Sequence, residues 1–178
     1  MLDYSSLTYW DNRYRNDPSQ FDWICDLSPL TELFEKHLPK NCPLLDVGCG
    51  TSRVPLQFAK QGYSVTAIDF SLPCIDSVST LYRHSNLNYI HTDIFTFEPI
   101  EQMSVVFDKC LIDSVSCSFD KTQTSSLIDV IHSLLIPSAL FSFDTSKWEH
   151  LDTIEIPKDR KIEEGEFYCS IYKKIQET

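Results

Sequence analysis

The chain is short of glycine, of positive charge and of long apolar runs, and each shortage removes a class of protein. Four glycines in 178 residues exclude a collagen-like or Gly-rich low-complexity chain. No apolar run approaches the roughly 20 residues that a membrane-spanning helix needs. The start, Met1-Leu2-Asp3-Tyr4-Ser5-Ser6, has neither the basic opening nor the apolar stretch of a secretory signal. Fifteen Lys and Arg against 26 Asp and Glu leave a formal net charge of -11. An acidic surface repels phosphate backbones, so nucleic acid is a poor partner and a basic protein a better one. Basic residues do gather at Lys158-Asp159-Arg160-Lys161 and at Lys173-Lys174, but acidic neighbours interleave the first group, as in a solvated loop. Seven cysteines are an odd number without a C-x-x-C pair. They read as reduced, scattered thiols in a cytoplasmic or nuclear protein, with no disulfide framework and no metal site. Cys42, Cys49, Cys110 and Cys169 lie in apolar segments and read as core residues.

What is present begins with where the glycines fall. Gly48 and Gly50 stand within three residues of each other in Leu44-Leu45-Asp46-Val47-Gly48-Cys49-Gly50-Thr51-Ser52. An apolar run that ends in an acid, a Gly-x-Gly turn and a polar pair able to open a helix is how a βα unit presents a nucleotide-like cofactor. The glycines let the backbone turn tightly and let a ligand approach where a Cβ would collide. A dinucleotide fingerprint requires a third glycine three residues later, and that position holds Arg53. The turn therefore suits a cofactor without a pyrophosphate, or an ordinary strand-to-helix turn with no ligand.

Ser64-Val65-Thr66-Ala67-Ile68-Asp69-Phe70 reads as a second buried parallel strand. Asp69 follows the glycines by about 20 residues, where such folds place a carboxylate against ribose hydroxyls. A carboxylate offers acceptors alone, and a vicinal diol offers two donors. The competing reading is a cap for the next helix, a role open to Ser71 as well.

The coarse pattern is helix over Leu30–Leu38, helix over Arg53–Gln61, helix over Leu72–His84 and strand over Leu87–His91. A strand over Ser104–Ile112, a helix over Thr124–Leu135 and a strand over Ala139–Phe143 follow. Leu151–Pro157 and Glu166–Ile175 alternate around Gly165, as an antiparallel pair does. The expectation is an α/β fold in one domain spanning 1–178. It has a helical cap over 1–40, a βα core over 41–150 and a β-hairpin over 151–178. The core is a doubly wound, mostly parallel, Rossmann-like seven-stranded sheet with helices on both faces.

With these elements placed, the chain resembles class I S-adenosylmethionine-dependent methyltransferases over nearly its whole length. The D-x-G-x-G turn at Asp46, Gly48 and Gly50, then Asp69-Phe70 after the second strand and Asp93-Ile94 after the third, match that family's acidic signposts. The resemblance implies that Asp93 takes the adenine amine while Ile94 packs on the ring; Asp93 could also cap a following turn.

Tyr9-Trp10-Asp11-Asn12-Arg13-Tyr14 and Phe21-Asp22-Trp23 are similar to the Y-W-x-x-R-Y…[YF]-D-W signature of eukaryotic methyltransferase-like lysine methyltransferases. That subfamily includes enzymes that act on translation elongation factor 1-alpha. Trp10 and Tyr14 share one helical face, a spacing equally suited to a core stripe. The resemblance implies that Trp10, Tyr14 and Trp23 close the cofactor pocket. Lys109 and Asp113 match the subfamily's E-K-G-x-[LI]-D, with Cys110 in the glycine position. Pro137-Ser138-Ala139 stands where a glycine turn is usual, and the N-P-P-[YFW] motif of adenine and glutamine methyltransferases is absent from the sequence.

Methyl transfer as an in-line displacement from a sulfonium needs alignment and a neutral acceptor amine. Asp113 is the candidate catalytic residue, orienting a lysine amine. The expected substrate is thus a basic protein; a small-molecule methyltransferase and a non-catalytic binding protein are the alternatives.

Overall fold

The computed structural model describes residues 3–22, 27–118, 120, 122–141, 148–156 and 167–174, with residues beyond Leu135 described by their backbone. Four parallel strands form its centre: β1 Pro43–Val47, β2 Ser64–Asp69, β3 Leu87–His91 and β4 Met103–Asp108. They lie in the order β3-β2-β1-β4, with Val47 in register with Ile68 on one side and Asp108 on the other. The chain therefore moves outward from β1 in one direction, then returns to β1's other edge for β4. The carboxyl ends on either side of that reversal leave a crevice, the usual ligand position of such sheets.

Alternation along each strand feeds two cores. Leu44, Val65, Val105 and Phe107 face one side. There they meet α2 (Thr31–His37) through Leu33 and Phe34, and α3 (Val54–Lys60) through Phe58. Leu45, Val47, Ile68 and Val106 face the other side, against Ile112 and Val115 of α5 (Leu111–Ser116) and Leu127 and Ile131 of α6 (Thr122–Leu134). Phe34, Phe58 and Phe107 meet with ring centroids 5.2–5.8 Å apart. Burying each such ring stabilises the fold by about 1.5–3 kcal/mol. Helices thus cover both faces of a parallel α/β sheet, as the alternating pattern predicts.

α4 (Leu72–Leu81) packs Cys74 against Trp10 and Tyr14 of α1 (Leu7–Asn16). It ends three residues before the expected His84. α3 stops where Gly62, at φ +97°, takes a backbone conformation that side chains resist.

Two expectations need correction. The fourth strand stops at Asp108, not Ile112, because the Asp108 carboxylate accepts the Leu111 N–H at 2.9 Å and opens α5. The fifth strand, β5, runs Leu135–Phe141, starting directly after α6. Backbone pairing places β5 parallel to β4, then β7 (Phe167–Lys174) antiparallel to both β5 and β6 (Trp148–Ile156).

A candidate cofactor cavity at the strand ends

The cavity lies over the ends of β1, β2 and β4, and the glycine turn forms its floor. Gly48 and Gly50 have φ of +64° and +52°, so both adopt the left-handed backbone that favours glycine. A Cβ on Gly48 would lie 3.1 Å from Leu111 Cβ, and one on Gly50 would lie 2.9 Å from the Tyr14 hydroxyl. The turn is thus cradled by α5 below and α1 above.

Asp69 holds that turn from β2. One carboxylate oxygen accepts the Gly50 N–H at 3.0 Å and the other accepts the Ser71 N–H at 2.9 Å. Burial raises its pKa to about 6, against the pull of those two N–H groups. Each oxygen keeps a further acceptor position, and the residue lines the cavity. Ser71 occupies the N-cap position of α4, but its hydroxyl donates to Asp11 of α1 at 2.7 Å. Asp46 is buried beneath the turn, and burial pushes its carboxyl well up while Lys109 opposes the shift.

The aromatic wall comes from α1. Trp10 and Tyr14 are buried and stacked, with centroids 5.6 Å apart, and both line the cavity. The Trp10 indole N–H donates to the Tyr4 carbonyl at 2.7 Å, which fixes its rotamer. Phe70 and the buried Ile94 complete the apolar side.

Asp93 is placed differently. It is exposed, it caps the 3-10 turn Ile94–Thr96 by accepting the Phe95 N–H at 3.0 Å, and it does not line the cavity. Asp113 is also exposed and outside the lining, one turn behind Cys110, whose thiol hydrogen-bonds to it. Cys110, expected in the core, lines the cavity instead, at φ +76°. It takes the left-handed conformation of the glycine that the resembling motif carries. Trp23 lies outside the described residues. The remaining expected site residues, Trp10, Tyr14, Asp46, Gly48, Gly50, Asp69, Phe70, Ile94 and Lys109, all meet at this one cavity.

Sequence reading missed a polar clasp. Asp22 accepts from Lys109 Nζ at 2.5 Å and from the Ser52 hydroxyl, and Lys109 reaches Ser52 Oγ at 3.2 Å. Burial pushes Asp22 up, but the Lys109 charge and the hydrogen bonds outweigh it and leave the carboxyl below its usual range. The Phe21 N–H donates to Thr51 Oγ1 at 3.1 Å, and Thr51 donates to the Ser19 carbonyl at 3.0 Å. Thr51 and Ser52, the polar pair after the glycines, therefore tie the N-terminal segment down over the turn. Asp22 stood inside the quoted Phe21-Asp22-Trp23 motif; its acidic partner role was the available signal. Arg53 points away, its guanidinium 5.9 Å from the Tyr82 ring centre.

Residues 44–138, more than half of the chain, match the family model described as a methyltransferase domain. The chain belongs to the methyltransferase domain family. It is 25% identical over 161 residues to EEF1A lysine methyltransferase 4 of Mus musculus, covering 83% of this chain and 63% of that protein. It is 33% identical over 95 residues to the ubiquinone biosynthesis O-methyltransferase of Rickettsia akari, covering 52% of this chain and 37% of that protein. The chain thus spans less than two thirds of the length of either relative. Its fold matches the 1,6-didemethyltoxoflavin-N1-methyltransferase of Burkholderia thailandensis with a TM-score of 0.74 at 14% identity, covering 96% of this chain and 87% of that one. The family that the D-x-G-x-G turn and its following acids imply is the family the comparisons show.

Proposed function

We propose that this methyltransferase uses S-adenosyl-L-methionine to methylate a lysine side chain on a basic protein, of the kind that translation elongation factor 1-alpha represents. The observation that carries the reading is the cavity's pairing of a buried aromatic wall, Trp10 and Tyr14, with the inward acceptors of Asp69. The residues fit the cofactor: Gly48 and Gly50 leave bare left-handed backbone on the cavity floor, and Asp69 keeps acceptor positions for a diol. When bound, the cofactor supplies a methyl group already activated by the sulfonium charge.

Under this reading Asp69 accepts the ribose hydroxyls, Asp46 and Lys109 face the charged amino-acid end, and Phe70 and Ile94 pack the adenine. Asp93 would reach the adenine amine from outside the present lining, while keeping its cap. Trp10 and Tyr14 close the pocket and exclude water. Aromatic faces attract the sulfonium and an approaching ammonium alike. The acceptor lysine, with a free pKa of about 10.4, must shed its proton, and a partly apolar pocket favours the neutral amine. Asp113 is the proposed orienting group for that amine, standing behind Cys110. The whole site sits in the seven-stranded, hairpin-terminated form of the sheet, and the protein works in the cytoplasm, with access to the nucleus.

The similarity to EEF1A lysine methyltransferase 4 supports a protein substrate, and the acidic net charge of -11 favours a basic one. The match to an O-methyltransferase supports the second reading, a small-molecule acceptor. Incubating cell extract with methyl-labelled cofactor and this chain separates them. A labelled protein band that survives denaturation, and disappears with Asp69→Ala, supports lysine transfer. Label confined to the small-molecule fraction overturns it. Calorimetry that detects no cofactor binding would instead mark a non-catalytic relative.

A further inference from the structure

Two thiols far apart in sequence meet at and just behind the cavity wall. Cys49 lies between the two glycines of the turn and Cys74 in α4, and both are buried. They hydrogen-bond to each other, and with the Asp69 carboxylate their ligand atoms all lie within 4.8 Å of one another. Tetrahedral zinc, at about 2.3 Å from sulfur and 2.0 Å from carboxylate oxygen, separates its ligand atoms by roughly 3.5–3.8 Å. The three groups need to close by up to about 1.3 Å to reach that geometry.

We propose that Cys49, Cys74 and Asp69 form a binding site for a thiophilic divalent cation of the zinc–cadmium class, and that its occupancy excludes the cofactor. Two thiolates and a carboxylate match such an ion's preference for sulfur with one harder ligand. Cys49 and Asp69 line the cavity, so the ion enters from it and keeps an open fourth position towards it. Tyr14, whose hydroxyl lies over Gly50, is also close enough to feel all three groups.

In the metal-free protein the thiols stay protonated. The Cys49 thiol is pushed up by its hydrogen bond to Cys74 and by burial. For Cys74 the Cys49 hydrogen bond pulls down, but burial and Asp69 push the thiol up overall. Coordination must therefore displace two protons, one from each thiol, into solvent, forming two metal–sulfur bonds without any redox change. The exclusion half rests on the proposed role of Asp69 as ribose acceptor. A carboxylate bound to the ion through one oxygen has lost one of the two acceptor positions that the diol's two hydroxyls need, and the glycine turn that carries Cys49 is drawn towards α4.

The test is titration of the reduced full-length chain with Cd2+ alone, following thiolate-to-cadmium charge-transfer absorbance and proton release. Expected is saturation at one ion per chain with release of about two protons. The band is lost in Cys49→Ala and Cys74→Ala, and kept in Cys117→Ala. A wild-type chain without the band, or a band that survives in the double alanine variant, overturns the site. If those variants fail to fold, the wild-type titration and a cadmium-induced rise in melting temperature still decide it. S-adenosylhomocysteine affinity is then compared in chelator-stripped and cadmium-saturated wild type. A loss of about tenfold or more is expected, within the usual range of coupled sites. Equal affinity overturns the exclusion. A stripped chain that binds no S-adenosylhomocysteine overturns the cofactor reading and the exclusion together, while the cation site stands or falls on the cadmium titration.

Discussion

The Lys109 ammonium lies 2.5 Å from the Asp22 carboxylate, joining the end of β4 to the segment that follows α1. Both side chains are largely shielded, at 12% and 13% exposure, so neither charge is fully hydrated when its partner is removed. Asp22→Asn should therefore destabilise the chain by about 1–3 kcal/mol, between the values for exposed and fully buried pairs. It should also weaken cofactor binding, because Phe21 and Ser19 are tethered to Thr51 beside the same turn. Urea unfolding and calorimetry on the one variant check both effects. An unchanged midpoint with unchanged affinity would show that the pair does not hold the segment in place.

Gly50 and Tyr14 form a second coupled pair. Gly50→Ala forces a Cβ to within 2.9 Å of the Tyr14 hydroxyl and also places a side chain at φ +52°. Tyr14→Phe removes the hydroxyl, and the next ring atom is 3.9 Å away, an ordinary contact. The double variant should relieve the clash but keep the left-handed backbone cost of about 1–2 kcal/mol. A double-mutant cycle in thermal unfolding should show favourable coupling between the two changes. Strict additivity would mean that the contact is not what limits position 50.

Those pairs also show how far the residues alone could lead. The apolar runs Leu44-Leu45-Asp46-Val47 and Ser64-Val65-Thr66-Ala67-Ile68, and the helical spacings between the strands, are local, so the parallel strands and their helices were legible. The glycine turn and Asp69 were legible because their spacing follows from one βα unit. The Asp22–Ser52–Lys109 clasp was not, since it joins three segments that come together on folding. The strand end at Asp108 was hidden for another reason: Cys110-Leu111-Ile112 resumes the apolar run directly after Asp108-Lys109. What stops the strand is one carboxylate capping Leu111 and a left-handed cysteine where a glycine would have announced the turn. Cys49 and Cys74 looked scattered because nothing in a spacing of that length signals contact.

Asp69 makes stability and binding respond to pH in opposite directions. Its carboxyl is raised to about 6 and that of Asp108 to about 7, both chiefly by burial. For an acid raised on folding, the folded state holds the proton more tightly than the unfolded chain. Its contribution to stability is therefore fully present below the ordinary carboxylate range and is lost as pH rises through 6 to 7. The free protein should melt higher at pH 5.5 than at pH 8 through these two groups (test values within the range of about 5–8 where stability is usually maximal), and Asp69→Asn with Asp108→Asn should flatten that slope. Cofactor affinity should run the other way, falling below pH of about 6 as Asp69 loses its acceptor character. A pH-independent affinity for wild type would remove Asp69 from the ribose site.

Asp113 is the sharpest test of the proposed chemistry, because it stands outside the cavity lining and touches it through the Cys110 thiol. Exposed on a short helix, it adds little to stability, so Asp113→Asn should leave the unfolding free energy within about 0.5 kcal/mol of wild type. If its carboxylate orients the acceptor amine, turnover should fall by about ten- to a hundredfold, one to two factors of 1.36 kcal/mol in the barrier. Cofactor affinity should not change, since the residue stands outside the cavity lining. Single-turnover methylation of a basic protein substrate, beside calorimetry with S-adenosylhomocysteine, separates the two quantities. Full turnover in the variant would assign the orientation of the amine to the cavity walls, with Ser114 as the lining polar group on the same helix.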